Sequence, residues 1–360
     1  MILHTTRTSE GLRIGPVPPA HAHAALLETA GALLVWDAAD PAGPPTATVW
    51  DPALALDVAW QIYGPGAVPV LLERTGSFAP APAPAPALDH ARRAALATWA
   101  ATWWPASSLA GIPPLDPRIL AVERADALIA VEHVLDGDEL LLVALADGLA
   151  AARALRLAPE IDAAVLPALA ALEARVEEAA ADRGITAGSA AAMPAREDLA
   201  LAASATARSP ADVLAEGTEP LDLSAFAPGT VDAAGSAHWQ VRSAESDVVL
   251  EISVPRAPSI SAADPAPLDA VFAGVALALR PEPGRFAGSV AAPATILLTP
   301  PAARTLALAS RGYRGRRDVD AGALLALARE RLDRAREAEI GETGIPDQAV
   351  LLAEQEAARR

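Results

Sequence analysis

Apolar positions change texture three times along the chain. Over residues 1–78, short β-like runs are punctuated by Pro and Gly: Ala32–Trp36, Ala47–Trp50, and Val68–Glu73 after Gly64-Pro65-Gly66. This predicts a small β-rich or α/β N-terminal domain. Ala79–Pro86 then alternates alanine with proline, and each proline fixes φ and lacks an N–H, so 79–88 reads as an extended linker. From Asp89, a candidate N-cap, the spacing becomes helical and runs to Trp104, where Pro105 stops it. Asp116 as cap and Pro117 at the first position open a second helix to about Leu135. Asp136-Gly137-Asp138 is a turn in which Asp138 caps the next helix, and Glu139–Leu157 and Pro159–Arg183 read as two more helices. Pro167 predicts a kink in the latter, and a weaker fifth helix spans Arg196–Ala207. Residues 89–215 are therefore expected to form a helical bundle.

Beyond about Glu216 the runs shorten again: His238–Arg242, Val248–Val254, Val271–Leu279, Phe286–Val290 and Thr295–Leu298, separated by Pro, Gly, Ser and Asp. Regular spacing of this kind predicts a small antiparallel β-sandwich over 216–310. Residues 311–360 complete the chain as a basic turn, a charge-laced amphipathic helix over Asp320–Glu339 and an acidic tail from Gly341. The expected fold class is α+β multi-domain: a β-rich N-terminal unit, a central α-helical bundle, and a C-terminal β-sandwich followed by a helix.

Composition sharpens this picture. At 360 residues the chain is long enough for two or three domains. Alanine dominates the 52% hydrophobic fraction and aromatics make up only 4%, which favours close-packed helices. All 28 basic residues are Arg, the bias of a very GC-rich, actinobacterium-like genome. A net charge of −17 repels phosphate backbones and anionic lipid, and so argues against nucleic acid and membrane as partners. The absence of Cys excludes disulfides, thiolate metal sites and thiol nucleophiles, and the absence of Lys excludes Schiff-base chemistry and the Walker A loop. Residues 1–7 show no basic segment leading into an apolar one, so the expected location is the cytoplasm. The apolar runs Leu140–Ala152 and Ala163–Leu172 are interrupted by Asp147 and Pro167 and read as buried helices.

Trp99-Ala100-Ala101-Thr102-Trp103-Trp104-Pro105-Ala106-Ser107, then Leu115-Asp116 and Glu123, resembles a segment of uncharacterised actinobacterial proteins with a WxxxWWPAS-type helix. Leu221–Asp222 to Trp239, with Pro228–Ala234, is similar to the linker and first strand of the same proteins. The likeness covers about half of the chain. It implies a taxon, a domain order and membership of a multi-gene system alongside an ATPase, and assigns no catalytic residue.

Several residues carry candidate chemistry. Trp99, Trp103 and Trp104 offer a large rigid surface for a partner, although shared helical spacing favours a packing anchor in an alanine-rich bundle. Asp126 and His133, seven apart on one helix, project similarly, Glu123 lies within reach of Asp126, and the three could serve acid–base or divalent-metal chemistry. They lack the paired spacing of an HExxH or ExxH site, and solvated or internally paired side chains account for them better. Arg124, on the more apolar side of that helix, suits an internal pair with Glu123 or Glu160. His21 and His23 alternate as on a strand, with no third ligand in register. Arg311, Arg314, Arg316 and Arg317 surround Tyr313, and Arg329, Arg331, Arg334 and Arg336 lie just beyond. Interleaved acids make this 311–336 segment read as a solvated helix or an interface for an acidic partner sooner than a phosphate contact. Neither Ser189 nor Ser289 sits in a G-x-S-x-G elbow.

The expected function is that of a non-enzymatic adaptor or scaffold, binding other proteins of a multi-component system and using no cofactor or metal. Two alternatives stay open. One is a hydrolase or metal-dependent enzyme built on Glu123, Asp126 and His133; the other is a nucleic-acid-contacting accessory protein using 311–336.

Overall fold

The computed structural model describes residues 2–80, 86–157, 161–185, 213–244, 247–259, 265–300, 303–314, 319–338 and 350–360. The chain is α+β and forms two compact units that run across its composition boundaries. The first comprises Met1–Trp104, Leu115–Ala190 and Ala326–Arg360, and the second Pro105–Pro114 and Ala191–Leu325. The helix expected over 196–207 and the stretch 339–349 lie outside the described residues.

The first unit opens with β1 (Leu3–Thr8), β2 (Gly11–Ile14), β3 (Ala24–Thr29), β4 (Ala32–Asp37) and β5 (Thr46–Val49). Helices α1 (Leu56–Tyr63) and α2 (Ala67–Glu73) come next, and then β6 (Ser77–Phe78). The strands pair antiparallel in the order β3-β4-β5-β2-β1-β6. On β3, Ala25, Leu27 and Thr29 are buried while Leu26 and Glu28 are exposed, the two-residue alternation of a half-buried strand. The expected strand Val68–Glu73 is instead helix α2. Ala67, Val70 and Leu71 are buried at three- and four-residue spacing, so a helix buries its apolar positions where a strand would split them.

Helix α3 (Pro86–Trp103) begins three residues inside the stretch read as linker, because proline suits the first helical turn, where its missing N–H loses no bond. Asp89 accordingly lies within the first turn, not at the cap, and pairs with Arg92 at 3.1 Å. Alanines on almost every side of α3 let it sit deep in the unit. Helix α4 (Pro117–Ala130) is capped by Asp116, which accepts from the Arg118 N–H at 2.9 Å. It ends five residues before the expected Leu135, and Glu132–Val134 form a separate 3-10 turn. Asp138 stands at the cap position of α5 (Glu139–Arg156), but its side chain makes no capping hydrogen bond. Where α5 meets α4, a side chain at Gly148 would stand 2.7 Å from the Ala125 Cβ, so the approach needs glycine. Pro167 stands in the first turn of α6 (Leu166–Asp182) and starts that helix instead of kinking it. The later part of α7 (Ala321–Glu337) and α8 (Leu352–Arg359) complete the unit.

The second unit is built on β7 (Val213–Pro220), β8 (Ser236–Ala244), β9 (Asp247–Pro255), β10 (Leu268–Phe272), β11 (Val275–Glu282), β12 (Arg285–Ala292) and β13 (Leu306–Ser310). They form one antiparallel sheet in the order β13-β10-β11-β12-β9-β8-β7. Val275–Leu279 of β11 pairs with β10 and Arg280–Glu282 pairs with β12, so the sheet turns a corner along this strand. Its two halves close over a shared core in which Trp239 on β8 meets Phe272 on β10, ring centroids 4.5 Å apart. The two-layered packing expected of a sandwich thus comes from one curled sheet. The run Val271–Leu279 is not continuous. Ala273 and Gly274 both adopt positive φ (47° and 84°) and make the tight reversal between β10 and β11. Thr295–Leu298 is a 3-10 turn over Ala294–Leu298 instead of a strand, and the carbonyls of Leu297 and Thr299 at its end accept from Arg304. No helix among the described residues is long and apolar enough to cross a membrane.

Candidate functional site

The candidate residues of the first unit are largely drawn into its interior. Trp99 is buried and donates its indole N–H to the Ala22 carbonyl at 2.8 Å. Trp104 is buried beside it in an edge-to-face contact, with centroids 6.4 Å apart, and Trp103 is half-buried. Trp99 and Trp104 are packing elements of this unit, and the partner of Trp99 is the residue just past the end of α3, not Trp103 at helical spacing.

Glu123, Asp126 and His133 are not brought together. The Glu123 carboxylate accepts the backbone N–H groups of Leu352 at 2.6 Å and Ala353 at 3.1 Å, in the opening turn of α8. Burial pushes its carboxyl up to about 7, against the pull of those two donors and of the nearby Arg93, while the charge of Glu354 adds to the rise. Asp126 is buried and takes the Arg175 Nε–H from α6 at 2.6 Å. His133 is exposed on the 3-10 turn, because α4 has ended before reaching it. Arg124 stays half-buried on α4, and Glu123 is engaged with α8.

Two further groups act on this carboxylate pair from α3. His90 and Arg93 stand one turn apart on α3, as Asp126 and Glu123 do on α4; Arg93 acts on Glu123, and Asp126 on His90. Burial, and then the charge of Arg93, hold the His90 imidazole below its ordinary value. Arg93 is buried, and its Nε and Nη1 have no hydrogen-bond partner among the described residues. A basic pair at i, i+3 on one helix and an acidic pair at i, i+3 on the next is readable from the sequence only once the helices are known to be antiparallel neighbours.

The arginine-rich segment is also engaged locally. Arg311 forks onto Asp269 at 2.7 Å on the surface, and Arg314 is exposed; Arg316 and Arg317 lie outside the described residues. On α7, Arg331 is buried against Glu354, Arg334 reaches the Ala39 carbonyl and Glu330, and Arg336 pairs with Asp333. His21 and His23 fall on a 3-10 turn, not a strand. Among the described residues no three His, Asp or Glu side chains converge as a metal site.

Two of the segments that carry the sequence resemblance meet inside the second unit. Asp232 is buried and accepts from the Ser107 hydroxyl at 2.6 Å and from the N–H groups of Ser108, Ala234 and Leu109 at 2.8, 3.0 and 3.3 Å. The carboxylate pins the 105–114 loop, which Ser107 and Ile112 close by a β-bridge. With four donors on it, Asp232 holds structure and has little capacity left for a ligand.

Surface capable of recognition lies elsewhere. On the second unit a shallow groove of about 730 Å³ covers parts of β7, β8, β9 and β12, with His238, Gln240, Glu251, Ser253 and Arg285 among its lining. Two of its carboxylates are engaged within it: Glu251 accepts from the Gln240 amide at 2.8 Å, and Glu282 takes Arg285 at 2.9 Å. On the first unit Trp50, Leu54 and Trp60 stay 46%, 56% and 53% exposed. Trp50 donates its backbone N–H to the Gly31 carbonyl at 3.0 Å, and the Asp51 carboxylate accepts from Ala53 and Leu54, which holds the loop between β5 and α1 in place. The sequence signal for these exposed residues is composition alone: two of the seven tryptophans in one stretch, at positions neither the strand nor the helix spacing turns inward. A scan against protein-family models and searches of curated proteins and of solved structures returned no match.

Proposed function

We propose that this chain is a non-enzymatic adaptor that binds a partner protein of a multi-component cytoplasmic system through Trp50, Leu54 and Trp60. The observation that carries this reading is the exposure of two tryptophans and a leucine on an ordered loop and helix. Tryptophan is a costly residue to leave in water, and it is the residue type most enriched among side chains that dominate protein–protein affinity. A fixed loop presents these rings with little further loss of conformational freedom on binding. The residues that favoured an enzyme or a nucleic-acid contact support it less, because Glu123, Asp126, Arg331 and Arg334 are engaged inside the first unit.

The test is affinity capture of the tagged chain from its native host at near-physiological salt. The double variant Trp50→Ser/Trp60→Ser is compared with Leu142→Ser/Val143→Ser, which alters exposed apolar residues of α5. The first pair is expected to lose the partner that the wild type captures, by about tenfold or more, with the thermal midpoint unchanged; the second pair is expected to keep it. Equal capture by all three chains would remove the proposed surface.

A further inference from the structure

From Val350 to Ala357 every residue is buried, and Leu351, Leu352, Glu354, Gln355 and Glu356 have no exposure at all. The other elements of the first unit also pack on one another. Its sheet uses no residue beyond Phe78, α3 packs on α4, and α5 and α6 pack on α4 and on each other.

The bonds that hold this segment are polar and specific. Glu123 takes the first two N–H groups of α8. Arg331 reaches Glu354, with Nη2–Oε2 at 2.9 Å, while its Nη1 donates to the Ala38 carbonyl at 2.9 Å and its guanidinium lies 5.5 Å from the centre of the Trp99 ring. The same Glu354 carboxylate accepts the Leu351 N–H at 3.0 Å. The Gln355 amide points to the Ala338 carbonyl at 3.4 Å. Three consecutive polar side chains are a poor choice for filling a core, since apolar residues of equal volume avoid the desolvation of Glu354 and Arg331. They are a good choice for selecting one peptide among many, because a wrong sequence leaves a buried charge without its partner.

We infer that the first unit carries a socket for a short helical peptide with a glutamate in its first turn, and that the C-terminal segment with its Leu-Leu-Ala-Glu-Gln-Glu core is a separable ligand of that socket. Glu123 reads the helix start and Arg331 reads the glutamate at its third position. Severed from the chain, the segment rebinds in trans.

The experiment inserts a protease site between Gly341 and Pro346 of the full chain, cuts it under native conditions and adds a fluorescein-labelled peptide spanning Gln348–Arg360. The cut protein is expected to keep its far-UV circular dichroism and to exchange its tail for the labelled peptide. A Glu354→Ala peptide is expected to bind about tenfold more weakly or worse to the wild-type socket, yet no more weakly than the native peptide to an Arg331→Met socket. Loss of helical signal on cutting overturns the inference. So does a severed tail that about a hundredfold excess of peptide cannot replace, or an equal loss of the Glu354→Ala peptide on both sockets.

Discussion

Glu123 joins two elements through a single carboxylate, and its titration reports on that join. Its folded-state value near 7 lies above the ordinary 4.5, so the folded chain holds an extra proton between those values. The stability tied to this group is therefore present below about pH 4.5 and is lost as pH rises through 7. In Glu123→Gln that dependence disappears: relative to wild type, the variant should gain on the order of 3 kcal/mol between pH 4.5 and pH 8, read from urea midpoints. A difference that stays flat across the range would mean that the carboxyl is not held in this buried setting. Asp232 makes the opposite kind of prediction, since its role rests on four donors. Asp232→Ala leaves those donors without their acceptor and should lower the stability of the second unit by about 3 kcal/mol, with loss of hydrogen-exchange protection at Ser108 and Ala234. Retained protection would show that another group holds the 105–114 loop.

Among the elements, those with a strong period and a clear start were legible. The cap and proline at Asp116-Pro117, the long apolar repeat of α5 and the alternation in β8, β9 and β12 all carry their structure in local chemistry. What was not legible depended on contacts distant in sequence. Strand β1 has one apolar residue among six and β7 carries Glu, Gly and Pro, and both become strands through their neighbours' ladders. The reversal at Ala273-Gly274 has no Asn-Gly or Asp-Gly signal, because alanine at positive φ is tolerated only where flanking strands impose it. Ala273→Gly should therefore raise stability by about 0.5–1 kcal/mol, measured by chemical denaturation; a loss would show that the turn is not strained. The candidate site divides the same way. The spacing of Trp99 and Trp103 made Trp99 readable as packing, but Trp103 is half-buried and the buried partner is Trp104, whereas the action of Arg93 on Glu123 and of Asp126 on His90 needs the neighbouring arrangement of α3 and α4.

At the scale of the whole molecule, a net charge of −17 repels polyanions, and Arg311, Arg334 and Arg336 are each held by a neighbouring acid. The proposed partner surface is Trp50, Leu54 and Trp60, and the proposed socket of the first unit holds the chain's own segment around Glu354. The most direct test of the first claim is the solution mass of the purified chain mixed with the partner it captures, measured by mass photometry at near-physiological salt. A single species at the summed mass that vanishes with Trp50→Ser/Trp60→Ser is the predicted result. A complex of the same mass and abundance formed by that double variant would contradict it.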